Sequence, residues 1–167
     1  MAQEFGKRRE IMYERILIPL DGSQEAEAAA HEVVHLSMNP EVVHLQLVEN
    51  GVMQSRQLEG YTTYADQIHD ARKRSGEAYL QPLRRKLEAR GLRVEVSVTN
   101  GAPLHEVIER AEKLDADLVL LGAGEGGWLR RRIGLSHIAP RLAKKVKAHV
   151  LLVQEGAKHQ EALQRAA

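Results

Sequence analysis

Two runs in this chain have residue types and spacings that could do chemistry on a phosphate or a metal. The first is Gly122-Ala123-Gly124-Glu125-Gly126-Gly127, which spells G-x-G-x-x-G at Gly122, Gly124 and Gly127. Glycines let backbone N–H groups approach an anion, and a following helix directs its positive end at the same place. A dinucleotide site needs this run after the first strand, with an acid about 20 positions on for the ribose hydroxyl. No Asp or Glu occurs from Gly126 to Gln154, so a nicotinamide cofactor is disfavoured. No Gly-Lys-Ser/Thr follows, which removes a Walker P-loop. A looser phosphate cradle is left, in which Ser136 would cap the next helix or bond a phosphate oxygen. The acid-free stretch holds Arg130, Arg131, Arg132, Arg141, Lys144, Lys145 and Lys147. Cations segregated in this way make a local positive field; the bland reading is a solvated face.

The second run is His31-Glu32-Val33-Val34-His35, an H-E-x-x-H. On a helix the two histidines share a face and can hold zinc, with Glu32 as general base. No third ligand is marked, and Val33 and Val34 belong to an apolar face, so two surface histidines are expected and no metal site. A Ser/His/Asp triad from Ser136, His137 and Asp21 fails, because adjacent side chains on a helix point apart and no G-x-S-x-G elbow occurs. His44, His69, His105, His149 and His159 are scattered. Trp128, the single tryptophan, lies in the glycine loop; it would cover a base or a partner, or anchor the loop to the core.

The elements that must position these residues alternate. Glu14 to Leu20 is an apolar run stopped by Asp21-Gly22-Ser23, and reads as a buried strand ending in a turn. Ser23 caps a helix from Gln24 to Met38, broken by Asn39-Pro40. Val42 to Val48 is a second strand, and Glu49 to Thr63 a long loop. Tyr64 to Arg90 is a charged helix with an apolar stripe, and Gly91 is its C′ residue. Arg93 to Thr99 alternates with period two, a strand with one wet face. Pro103 opens a third helix to about Leu114. Asp117 to Leu121 is a fourth strand, Ser136 to Lys147 a basic helix with Pro140 in its first turn, and Val150 to Val153 a last strand. This order predicts a doubly wound α/β fold: a five-stranded parallel sheet, order 3-2-1-4-5, between two helical layers. Strands one and four are then central, so Asp21-Gly22-Ser23 and the glycine loop meet at the switch-point crevice.

Composition narrows the function classes. The 167 residues carry 24 Lys plus Arg against 23 Asp plus Glu, a net charge of +1, which disfavours a uniformly basic nucleic-acid binder. Cysteine is absent, which removes disulfides, thiolate metal sites and a thiol nucleophile and suits a reducing, cytoplasmic setting. No apolar run reaches membrane-spanning length, and Met1 to Met12 has no signal-peptide character. Residues 1–12 read as an N-terminal extension, 13–154 as one domain and 155–167 as a polar tail.

Over about Tyr13 to Gln154 the chain resembles the universal stress protein family. The resemblance rests on Pro19-Leu20-Asp21-Gly22-Ser23, on Gly101-Ala102-Pro103, on Ala116 to Gly122 followed by glycines, and on Ala148 to Val153. It implies an adenine nucleotide alpha hydrolase-like fold, homodimers and a regulatory role in stress response. It also implies ATP or another adenine nucleotide in the crevice, with Mg only alongside ATP. By resemblance, Pro19, Leu20 and Asp21 would line the adenine and ribose end and Val48 would touch the base. Leu121, Gly122, Gly124 and Gly127 would approach the ribose and phosphates, and Ser136, His137 and Ile138 would supply donors. Nucleotide binders of the family carry G-x-x-G, nine residues, then G-S/T. Counted from Gly122, the second glycine is Glu125 and the final pair Leu135-Ser136; counted from Gly124, Gly127 fits but the pair is His137-Ile138. A nucleotide-free partner-binding module and a weak ATP hydrolase therefore stand beside nucleotide binding. The last strand, at a sheet edge, is the expected dimer surface.

Overall fold

The run Arg15–Leu20 has aliphatic side chains facing both ways, so it must be covered on both faces, and it is: Ile16, Leu17, Ile18 and Leu20 are all essentially inaccessible. The computed structural model describes residues 13–36, 40–49, 62–123 and 135–154. Its elements are β1 (Arg15–Leu20), α1 (Gln24–Glu32), β2 (Val42–Glu49), α2 (Thr62–Glu88), β3 (Val94–Asn100), α3 (Pro103–Lys113), β4 (Leu118–Ala123), α4 (Leu135–Lys145) and β5 (His149–Gln154). The five strands form one sheet of order β3-β2-β1-β4-β5 with every pairing parallel. This is the doubly wound architecture that alternating strands and helices demand.

Two aliphatic cores flank the sheet. One joins Ile16, Ile18 and Leu20 of β1 to Ala26, Ala29 and Ala30 of α1 and Leu80, Leu83 and Leu87 of α2. The other joins Leu17, Val119 and Leu121 to Val107 and Ala111 of α3 and Leu142 of α4. Each fully buried Leu or Ile contributes about 2 kcal/mol relative to exposure. At the opposite end of the sheet from the crevice, Asp117 accepts from the backbone N–H groups of Glu14 at 2.8 Å and Arg15 at 3.1 Å. That carboxylate sets the start of β1 against the start of β4.

Helix ends follow local chemistry. Ser23 is the N-cap of α1, its Oγ accepting from Ala26 N at 3.3 Å. Pro103 stands at the start of α3, where its missing N–H costs nothing. Past α2, Leu92 N donates to Leu87 O and Gly91 N to Glu88 O, the paired bonds of a Schellman motif with Gly91 at C′.

Of the expected boundaries that move, three bear on the residues singled out above. α1 stops at Glu32, six residues short of Met38. The next bonds, Val34 N to His31 O and His35 N to Glu32 O, are i to i−3 turns, and two successive β-branched valines weaken helix propensity there. β4 runs on through Gly122 and Ala123, which pair with Val153 and Gln154, so Gly122 is a strand residue and not part of a loop. α4 begins at Leu135, which places Ser136 inside the helix instead of at its cap, and Pro140 beyond the first turn. Pro140 there has no N–H to donate to the carbonyl four residues back. The segments 1–12 and 155–167 and most of the expected loop at 49–63 lie outside the described residues. No helix among the described residues is long and apolar enough to cross a membrane.

Candidate functional site

β1 and β4 pair over only part of their length, which marks where a switch-point crevice is expected. Their ladder consists of Ile16–Leu118 and Leu17–Val119. β1 meanwhile pairs with β2 as far as Leu20–Leu47, and β4 with β5 as far as Ala123–Gln154. The two central strands therefore turn to opposite neighbours toward their C-terminal ends, which is where sheets of this type hold ligands.

At the rim, half-buried Asp21 organises the turn out of β1. Its Oδ1 accepts from Ser23 N at 3.0 Å and from Ser23 Oγ at 2.5 Å. Gly22 between them has φ +82°, a region that costs an L-residue about 1–2 kcal/mol. Asp21 thus orders the cap residue of α1 and stays partly exposed. Pro19, Leu20, Val48, Leu121 and Gly122 are buried. Leu20 belongs to the core beneath α1 and α2, Val48 and Leu121 to the core beneath α3 and α4. Their side chains are thus core residues beneath the C-terminal ends of β1, β2 and β4. The backbone of Ser136, His137 and Ile138 lies in the first half of α4. Gly124, Gly127, Trp128 and the arginines at 130–132 fall outside the described residues.

Gly122 also has a structural duty. A Cβ there would overlap the Glu25 carbonyl and stand 2.7 Å from Ala26 N, so α1 lies directly on the β4 backbone. Beside this contact the Tyr79 hydroxyl donates to Glu27 Oε1 at 2.8 Å, tying α2 to α1. Burial first, then that bond and the Glu27 and Asp21 charges, raise the Tyr79 phenol well above its usual range.

The H-E-x-x-H run does not share one helical face. α1 ends at Glu32, so His35 lies in the turn, and His31 and His35 are both exposed. Among the described residues no group of three or more His, Asp or Glu is placed to hold a metal ion.

A polar cluster was not anticipated from the sequence. His44 and Gln46 of β2 are buried on the sheet face beneath α3, at 5% and 0% exposure. His44 stands opposite Glu95 of β3, Gln46 opposite Ser97 and Val48 opposite Thr99. His44 Nε2 meets Ser97 Oγ at 2.8 Å, and Gln46 Nε2 donates to Thr99 Oγ1 at 3.0 Å and to Glu106 O at 3.1 Å. Among the described residues His44 Nδ1 and Gln46 Oε1 have no hydrogen-bond partner. The signal was available: two polar residues at i and i+2 in an otherwise apolar strand, facing the polar set of a period-two strand.

Burial, aided by the Arg110 guanidinium and opposed by Glu95, holds the His44 pKa below its ordinary 6.5. Unfolded chains then take up this proton before folded ones as pH falls. Stability is full above about pH 6.5 and declines from there toward the lower folded-state pKa. Urea unfolding across pH 7.5 to 5 is expected to show that decline, and His44→Gln to lessen its slope.

Strand order and alternating helices together define a doubly wound α/β domain whose order reverses between β1 and β4. The profile described as the universal stress protein family matches residues 12–154, and the chain belongs to that family. Universal stress protein MJ0531 of Methanocaldococcus jannaschii is 29% identical over 149 residues, covering 87% of this chain and 85% of that protein. The solved structure of MJ0577, from the same archaeon, superposes with a TM-score of 0.67 at 23% identity, over 89% of this chain and 100% of that one. An Arabidopsis thaliana family member solved with AMP bound has a TM-score of 0.58 at 12% identity, over 89% of this chain and 97% of its own. A universal stress protein in complex with cAMP has 0.55 at 20% identity, over 86% of this chain and 98% of its own.

Proposed function

We propose that the crevice between β1 and β4 binds an adenine nucleotide, and that the chain works in the cytoplasm as a homodimeric regulatory module of the stress response. The short ladder between β1 and β4 carries this reading, because a switch point where two central strands part is where such sheets take ligands. AMP and cAMP in two proteins of the same fold support it. In this reading Val48 and Leu121 would lie toward the base and Asp21 toward a ribose hydroxyl. Phosphates would reach toward Gly124, Gly127 and the first turns of α4. Were Mg to accompany ATP, Asp21 would be the residue to hold it.

The test is titration calorimetry with ATP, AMP and cAMP, together with mass spectrometry of small molecules that co-purify. Asp21→Ala is expected to weaken nucleotide binding about 10- to 100-fold, the worth of a hydrogen bond to a charged group. Asp21→Asn, which keeps the turn, separates that loss from local unfolding. No heat with any of the three at millimolar concentration would end the nucleotide reading.

A second reading is a partner-binding module that holds no nucleotide. Glu125 in the second glycine position and Leu135 in the third favour it, since a carboxylate facing a triphosphate repels it. A weak ATP hydrolase is the remaining variant; steady phosphate release lost in Asp21→Ala identifies it.

Homodimerisation through β5 rests on Leu151 and Leu152, 39% and 43% exposed at the sheet edge. An open apolar edge strand invites a second chain.

A further inference from the structure

The buried polar cluster lies on the β2–β3 side of the sheet, and the nucleotide reading does not use it. We propose that Ser97, His44 and Glu95 form a Ser–His–carboxylate site able to cleave small acyl esters. Ser97 Oγ and His44 Nε2 are 2.8 Å apart, and His44 Nδ1 and Glu95 Oε2 are 3.7 Å apart. Hydroxyl, imidazole and carboxylate thus stand in the order of a nucleophile, its base and the group that orients the base.

In the tautomer that catalysis requires, Nε2 accepts from Ser97 and Nδ1 carries the proton. That buried N–H has no hydrogen-bond partner among the described residues, and the carboxylate nearest it is Glu95. A separation longer than a hydrogen bond is common before substrate arrives and shortens as the imidazole gains charge. Burial and Arg110 keep His44 neutral near pH 7, the form a general base needs. β3 is an edge strand, and Ser97 and Glu95 are both partly exposed, so a small substrate reaches the hydroxyl from the sheet edge.

In the reaction, Ser97 Oγ attacks the ester carbonyl carbon while its proton passes to His44 Nε2. The C–O bond to the alcohol breaks, and the alcohol leaves with that proton. Water, deprotonated by His44, then cleaves the acyl–serine bond and releases the acid with Ser97 restored.

The probe is diisopropyl fluorophosphate, from which Ser97 Oγ displaces fluoride and His44 takes the proton. Intact-mass analysis of the full chain is expected to show one phosphoryl adduct, mapped to the peptide carrying Ser97 and absent from Ser97→Ala. His44→Gln is expected to label about 100-fold more slowly, the lower range for loss of a general base. Glu95 is a positioning residue, so Glu95→Gln slows labelling and Glu95→Asp restores part of it. Both Glu95 variants are at a half-exposed position and keep the test readable if His44→Gln does not fold. An unlabelled chain, an adduct on another residue, or labelling that survives in Ser97→Ala overturns the proposal. Nucleotide affinity is measured separately on Ser97→Ala and is expected to be unchanged, so failure here and failure of the nucleotide reading are told apart.

Discussion

Replacing Gly122 with alanine is expected to lower the thermal unfolding midpoint of the ligand-free protein by about 6–12 °C. The added Cβ meets backbone on the far side, the Glu25 carbonyl and Ala26 N, and backbone in a helix cannot rotate away as a side chain can. Overpacking of this kind costs about 3 kcal/mol or more when relief requires moving a whole element. In a domain of this size each kcal/mol shifts the midpoint by about 2–4 °C. α1 would have to lift from β4, and Ala26, Ala29 and Ala30 would lose their close seating against the sheet.

The contrast that gives this prediction its meaning is Gly101→Ala. The three atoms nearest a Cβ at Gly101 all belong to the Glu106 side chain, a flexible carboxylate that can swing aside, so a change within about 0.5 kcal/mol is expected there. Differential scanning calorimetry without nucleotide compares the two directly. If Gly122→Ala unfolds like the parent protein and loses only nucleotide affinity, the glycine serves the ligand and not the α1 contact.

That double duty of Gly122 shows how far the sequence was readable. The period-two pattern of β3, the double-sided apolar runs of β1 and β4, Pro103 at the start of α3 and Gly91 after α2 are local signals with local causes, and each appears where the pattern places it. The strand order followed as well, since right-handed crossovers leave few ways to cover both faces. What was not legible depends on contacts between distant parts of the chain. The early stop of α1 at Glu32 reflects where Val33 must sink into the core. Gly122 reads as the first residue of a phosphate loop, yet in the fold it extends β4 beside β5 and seats α1. His44 reads as one of several scattered histidines until β2 and β3 pair and place Glu95 and Ser97 against it. Asp21 reads as a site residue or a cap residue, and the fold shows the second of these: its Oδ1 orders Ser23 at the start of α1.

Truncating Leu151 and Leu152 together to alanine is expected to raise the homodimer dissociation constant about 1000-fold. Leu151 stands beside Leu120 and Leu152 beside Leu121 in the β4–β5 ladder, so the two leucines extend the two cores outward on opposite faces of the sheet. Both partner residues in β4 are fully buried, whereas Leu151 and Leu152 keep 39% and 43% of their surface exposed. That remaining surface is what a second copy can cover. Burying somewhat under half of a leucine contributes about 1 kcal/mol. A two-fold interface uses each residue twice, so two leucines in two chains contribute about 4 kcal/mol, close to three factors of ten in the dissociation constant. The monomer fold is expected to survive, since neither side chain is part of the buried core and exposed positions tolerate truncation within about 0.5 kcal/mol. Sedimentation equilibrium over 1–100 µM decides it. A parent chain that stays monomeric across that range removes β5 as the dimer surface, and a double variant that dimerises like the parent moves the interface elsewhere. If the dimer forms as expected, each crevice sits one strand away from the interface, because β4 pairs with β5 along its whole length. A ligand that shifts the C-terminal end of β4 would then be felt directly by the strand that joins the two copies.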